Sequence, residues 1–263
     1  MPEVRVGYDF VGTKSWTPES NQGNSTVKPP PGSSPLTHAF TGDGPDAVLI
    51  HGLAGSGRWW ARNIDAFSSR FRVCTVDLAG FGGSRRIRRF QLGEAINVLE
   101  EWLDHVGIER SVVVGHSMGG LIAAGLAARS PQRVDRLVLV DAAFLSFEPG
   151  VAKQAIRLLR EFVASSPDLI RLVARDGFRA DPVSLSRATL DLLRLDWRKI
   201  LPQISAPTLI VWGEEDTVTP LTIGRQIVAE ISGARLVIIP GAGHVPMWDQ
   251  PEQFNADVIA FLS

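Results

Sequence analysis

The chain has 263 residues, enough for one large α/β domain carrying an insertion. Hydrophobic residues make up 44% and charged residues 21%, a globular balance, and the net charge of -1 removes any general electrostatic case for nucleic acid or an anionic membrane. No apolar run approaches the roughly 18 residues of a membrane span, and MPEVRVGYDF has no apolar stretch of signal-peptide type. The single cysteine, Cys74, excludes an internal disulfide and suits a reducing compartment, so a cytoplasmic location is expected.

In chain order, Val4 to Phe10 alternates apolar and polar residues and reads as an edge strand. Thr13 to Pro35 is dominated by Asn, Ser, Gly and Pro and offers little to bury, so a mobile loop is expected there. Leu36 to Thr41 reads as a second strand, paired antiparallel with the first. Ala47 to His51 is the first buried strand and runs into the small-residue loop Gly52-Leu53-Ala54-Gly55. Ligands of open α/β sheets bind at this carboxyl edge. A helix containing Trp59, Trp60, Ile64 and Phe67 follows, then a strand from Val73 to Asp77 and the turn Asp77-Leu78-Ala79-Gly80-Phe81-Gly82-Gly83-Ser84. Leu92 to Val106 is an amphipathic helix, with Ile96, Leu99, Trp102 and Leu103 on one face.

Ser111 to Ala124, SVVVGHSMGGLIAA, is the stretch that organises the rest. Val112, Val113 and Val114 form a β-branched run suited to a central strand. A helix begins at Ser117. Between them stands Gly115-His116-Ser117-Met118-Gly119, a G-x-S-x-G pentapeptide in the strand–turn–helix setting its chemistry requires. The tight turn lifts the Ser117 hydroxyl clear of the sheet and aims the first helical amides, Met118 N–H above all, at whatever Ser117 attacks.

Val134 to Asp141 is another strand. The alternation then breaks. Phe144 to Pro202 is helical in pattern and reads as an insertion, residues 144–202, between core segments 1–143 and 203–263. Strand and helix alternate again through Thr208–Trp212, Leu221–Ile231, Arg235–Ile239 and Pro251–Leu262. The fold class is α/β, with a mostly parallel central sheet and helices on both faces.

A serine nucleophile needs a base, and the base needs a carboxylate to fix its tautomer. His244 is the candidate base. It follows a strand in Gly241-Ala242-Gly243-His244-Val245-Pro246, whose small residues let the loop cross to the elbow. Asp216 is the leading acid and Asp141, one strand earlier, its rival; Glu214 and Glu215 are expected to face water. His51 is expected to shape the loop beside it, and His116, next to Ser117, to point elsewhere on the turn. Trp59 and Trp248 are candidates for pocket lining, against a packing role. Arg85, Arg86, Arg88 and Arg89 read as a solvated loop or as a dock for an anionic substrate or acyl carrier.

From Ala47 to Leu262 the chain resembles the α/β-hydrolase fold superfamily. His51-Gly52 is similar to its oxyanion-loop motif, Asp77 to Ser84 to its D-x-x-G-x-G-x-S turn, and Gly115 to Gly119 to its nucleophile elbow. The order Ser117, Asp216, His244 is also the family's order. The resemblance implies an oxyanion hole from the Leu53 and Met118 backbone N–H groups, substrate contacts at His51, Gly52, Trp59 and Trp248, and a helical cap formed by residues 144–202. The family's haloalkane dehalogenases and epoxide hydrolases place aspartate where Ser117 stands, so both activities are disfavoured. A Gly-Gly-Pro-Gly run of the proline iminopeptidases is absent after His51-Gly52.

The expected activity is cleavage of carboxylic esters of small or medium acyl groups through an acyl-enzyme, on a small-molecule substrate and without metal or organic cofactor. Rival readings are a C–C hydrolase, with an arginine such as Arg157 or Arg175 on the substrate carboxylate, a lactonase, or a cofactor-free haloperoxidase or perhydrolase. A small-molecule receptor with little turnover is the rival from another class. The sequence fixes neither the substrate nor the oligomeric state.

Overall fold

The computed structural model describes residues 34–87, 89–144, 165–192 and 199–263. The strand read at Val4 to Phe10, the loop from Thr13 as far as residue 33, Arg88 and Arg157 lie outside them. The described residues form a seven-stranded sheet: β1 (Thr37–Thr41), β2 (Asp46–Ile50), β3 (Arg72–Asp77), β4 (Ser111–His116), β5 (Val134–Val140), β6 (Thr208–Gly213) and β7 (Arg235–Ile239). Their spatial order is β1-β3-β2-β4-β5-β6-β7. Only β1 runs antiparallel, and its partner is β3, with Phe40 opposite Cys74. The other pairing read for Leu36 to Thr41, with Val4 to Phe10, falls on residues outside those described.

The central strand β4 is buried along its whole length, as its unbroken Val run requires. Alternate residues of each strand feed the two faces of the sheet. Val113, Ile50, Cys74 and Leu139 pack on one side against α2 (Leu92–His105) and α3 (Met118–Arg129). Val112, Val114, Leu49 and Val211 pack on the other against α1 (Ile64–Ser68) and the last helix, α8 (Pro251–Leu262). Cys74 is buried, and burial pushes its thiol up to about 12, which suits a core residue rather than a nucleophile.

The helix expected around Trp59 and Phe67 is divided. Gly57–Trp60 is a 3₁₀ turn, and α1 starts only at Ile64. The junction is held by buried Asn63, whose amide donates to the Met247 carbonyl and to Asn255 Oδ1, both at 2.9 Å. Two helices are described within the insertion, α4 (Pro167–Arg179) and α5 (Pro182–Leu192). They dock on the turn after β3: Asp181 N–H donates to Gly80 O at 2.9 Å, and Phe90 N–H donates to buried Ser184 Oγ at 2.9 Å. Phe178 is 92% exposed at the end of α4. The remaining helices are α6 (Leu221–Glu230) and the four-residue α7 (Pro246–Asp249). No helix among the described residues is long and apolar enough to cross a membrane.

Candidate active site

Ser117 joins β4 to α3 with φ 51° and ψ -117°. That is a disfavoured backbone for a residue with a side chain, costing on the order of 1–3 kcal/mol. Close packing holds it. A Cβ on Gly115 would stand 2.4 Å from Gly119 O, and one on Gly119 would stand 2.5 Å from both the His51 and Ile50 carbonyls. Both glycines of the pentapeptide are therefore needed for the close approach of β4, α3 and β2. Ser117 N–H donates to Val140 O at 2.9 Å, and Ser117 O accepts from Ala143 N–H at 3.0 Å. The elbow is thus tied to the end of β5 from both sides.

The turn brings Ser117 Oγ to 3.0 Å from His244 Nε2. On the other side of the ring, His244 Nδ1 lies 2.8 Å from Asp216 Oδ2. The three side chains come from the carboxyl ends of β4, β6 and β7, the edge where the sheet opens. The two loops carrying Asp216 and His244 are zipped together by backbone bonds, Glu214 N–H to Ile239 O and Glu215 N–H to Ala242 O. A Cβ on Gly213 would collide with Gly243 O at 2.0 Å. Glycine there is what lets the two loops touch.

Asp216 is oriented by its own loop. Its Oδ1 accepts from the Val218 and Thr219 amides at 2.7 and 2.9 Å, and Thr219 Oγ1 donates to Oδ2. Burial alone would push the carboxyl up. The adjoining His244 imidazole and the hydrogen bonds from His244 and Thr219 outweigh it and hold Asp216 below its ordinary value. Glu214 and Glu215 are exposed. The rival acid, Asp141, is fully buried with φ 41°. Its Oδ1 accepts from Gly213 N–H at 3.0 Å. It therefore braces the end of β6. One ligand atom each from Asp141, Asp216 and His244 lies within 4.8 Å of the others.

The two remaining buried histidines support the loops. His51 is fully buried with both ring nitrogens engaged. Nε2 accepts from Leu78 N–H at 2.9 Å, and Nδ1–H donates to Gly52 O at 2.7 Å. Burial lowers its pKa and favours that neutral tautomer. It shapes the loop Gly52–Gly55 from beneath and is itself fully enclosed. Gly52 is buried too: a Cβ there would stand 2.8 Å from His116 Nδ1 and 3.0 Å from Ser117 Cβ. Leu53, the next residue, is half-buried at the open edge. Met118 opens α3 immediately after the serine.

His116 does not turn away from the site. Its Nε2–H donates to the His244 carbonyl at 2.7 Å, and its ring centroid stands 5.0 Å from that of His244. Sequence reasoning missed this role because the contact spans 128 residues. Burial, and secondly the neighbouring His244, depress the His116 pKa to about 3 from an ordinary 6.5. The unfolded chain therefore takes up this proton more readily than the folded one. The stability that neutral His116 confers is complete above about pH 6.5 and drains away as the pH falls toward 3. Between pH 6.5 and 5 the loss amounts to about 2 kcal/mol. Urea unfolding at both pH values should show wild type losing about that much more stability than His116→Asn. Equal losses in the two proteins would mean that His116 is not held neutral.

Trp59 packs behind this pair. It is buried, and its ring centroid is 5.6 Å from that of His116. Its Nε1–H donates to Asp176 Oδ2 at 3.2 Å. Trp248 lies elsewhere. It lines an outer cleft with Arg62, Asp168, Arg171, Leu172 and Arg175, and the Arg62 guanidinium stands 4.5 Å above its ring. Ser117, His244 and Asp216 are not among the described residues that line that cleft. In the arginine cluster, Arg86 and Arg89 are exposed, while Arg85 Nη1 donates to Gly82 O at 3.2 Å.

Residues 47–257 match the model of the "Alpha/beta hydrolase family". A pimeloyl-[acyl-carrier protein] methyl ester esterase of Nitrosomonas europaea is 32% identical over 241 residues, covering 81% of this chain and 94% of the relative. A 2-hydroxy-6-oxononadienedioate/2-hydroxy-6-oxononatrienedioate hydrolase of Cupriavidus pinatubonensis is 31% identical, over 84% of this chain and 88% of its own. Among solved structures, a thermophilic esterase from Thermogutta terrifontis aligns with a TM-score of 0.74 and 26% identity, covering 86% of this chain and 92% of that one. A meta-cleavage product hydrolase from Pseudomonas fluorescens IP01 aligns with 0.75 and 25%, covering 91% and 97%.

Proposed function

As the chain belongs to the alpha/beta hydrolase family, we propose that it is a serine hydrolase acting on carboxylic esters of small or medium acyl groups. The observation that carries this reading is the continuous hydrogen-bonded line from Ser117 Oγ through His244 to Asp216 at the strained elbow. Ser117 attacks the acyl carbonyl as His244 Nε2 takes its proton, and the carbonyl π electrons move onto oxygen. The Met118 and Leu53 amides hold that oxyanion. Collapse of the tetrahedral species breaks the C–O bond, and His244 returns the proton to the leaving alcohol. A water then attacks the acyl-enzyme with His244 again as base, and the acid and free Ser117 emerge. Asp216 keeps the imidazole in the Nδ1–H tautomer and stabilises the imidazolium.

The relatives include esterases and C–C hydrolases alike, so the choice of bond rests on the site. A C–C hydrolase acting on a dianionic ring-cleavage product would use a cationic side chain on the substrate carboxylate. Arg175, one candidate, borders the outer cleft with Arg62 and Arg171. The other candidate, Arg157, lies outside the described residues. A panel of chromogenic esters, lactones and a vinylogous diketo acid, run beside a fluorophosphonate probe, tests the ester reading. Ester turnover with labelling at Ser117 is expected. Turnover of the diketo acid alone would replace the ester assignment, and labelling without any turnover would favour a receptor.

A further inference from the structure

Helix α4 buries two residues, Leu169 and Asp176. The second is the odd one: a carboxylate only 1% exposed on a helix that otherwise faces outward. Buried carboxylates persist where donors meet them, and here all three come from one four-residue stretch. Asp176 Oδ2 accepts from Ser56 Oγ at 2.6 Å and from Trp59 Nε1 at 3.2 Å. Asp176 Oδ1 accepts from Arg58 Nη2 at 3.2 Å. Ser56 also caps the 3₁₀ turn Gly57–Trp60, its Oγ accepting from Arg58 N–H.

This stretch directly follows the loop Gly52–Gly55. The loop folds back on itself through Gly55 N–H to Gly52 O at 3.1 Å. It also leans on the Trp59 ring, since a Cβ on Gly55 would stand 3.0 Å from Trp59 Cε2. His51 therefore holds the loop from the sheet side, and Asp176 holds its far end from the insertion. Leu53 sits between the two anchors.

We propose that Asp176 is a positioning residue: through Ser56 and Trp59 it sets the loop whose Leu53 amide completes the oxyanion hole, so the hole is complete only while helix α4 is seated. The proposal rests on the serine hydrolase reading above. The oxyanion develops in the transition state, so a displaced amide lowers kcat and leaves substrate binding nearly unchanged. Removing one oxyanion donor outright costs roughly 10²–10³ in kcat, and a shifted donor costs less.

Asp176→Ala is expected to lower kcat on a chromogenic ester by about 10–100-fold, with KM within about twofold of wild type and an unshifted pH profile. A boronic acid that mimics the tetrahedral species should lose affinity by the same factor as kcat/KM. Asp176→Asn keeps an acceptor for Ser56 and Trp59 and should recover most of the rate. Trp59→Phe removes the N–H together with part of the indole ring, keeps the Ser56 bond to Asp176, and should fall between them; it also serves if the alanine variant fails to fold. An active wild type whose Asp176→Ala and Trp59→Phe variants keep full kcat overturns the proposal alone. So does a loss confined to KM, or an Asn variant no better than alanine. A wild type that neither hydrolyses esters nor takes a fluorophosphonate on Ser117 overturns the reading of the site, and the proposal with it.

Discussion

Ser117→Ala should abolish ester turnover, lowering kcat by on the order of 10⁶ and leaving only what binding and the oxyanion amides supply. The size of the effect follows from the geometry. Ser117 Oγ faces His244 Nε2 at 3.0 Å from the tip of the elbow, and alanine offers no atom to acylate. The fold should survive. The Ser117 side chain forms no cap on α3, and the backbone bonds of Ser117 to Val140 and Ala143 do not involve it. Alanine inherits the same strained φ of 51°, so the unfolding midpoint should move little. Steady-state kinetics, fluorophosphonate labelling and denaturant unfolding on one preparation measure all three. Retained turnover with an unchanged pH dependence would remove Ser117 as the nucleophile.

The second large effect separates two carboxylates that both stand near His244. Asp216→Asn should lower kcat by on the order of 10⁴. The Val218 and Thr219 amides donate to Oδ1, so the asparagine carbonyl settles there and its NH₂ turns toward His244 Nδ1. The imidazole must then accept at Nδ1 and carry its proton on Nε2, where it can no longer take the proton of Ser117. Asp141→Asn should leave kcat within a few-fold of wild type. Its bond to the Gly213 amide at 3.0 Å is buried, and weakening it should cost about 1–3 kcal/mol of stability. If Asp141→Asn loses activity and Asp216→Asn keeps it, the acid sits one strand earlier.

Local chemistry made much of this molecule legible in one dimension. The strand–turn–helix around Ser117 could be read because a β-branched run, a glycine-flanked serine and a stretch of small residues each have a local steric meaning. The alternation of strand and helix marked the parallel sheet. His244 and Asp216 were legible as residues on small-residue loops at the carboxyl ends of strands, the edge where an open sheet binds ligands.

What only the tertiary structure decided are pairings whose partners are far apart in the chain and carry no period or motif. Among the described residues β1 pairs antiparallel with β3, a pairing not written in its own alternation. His116 reaches the His244 carbonyl, Asp141 reaches the Gly213 amide and Asp176 reaches Ser56, across 128, 72 and 120 residues respectively. Each is a polar group whose burial creates the demand for its partner. A sequence shows which groups can donate or accept, but burial is set by packing, so which of them must be satisfied, and by whom, is decided only when the chain has closed around them.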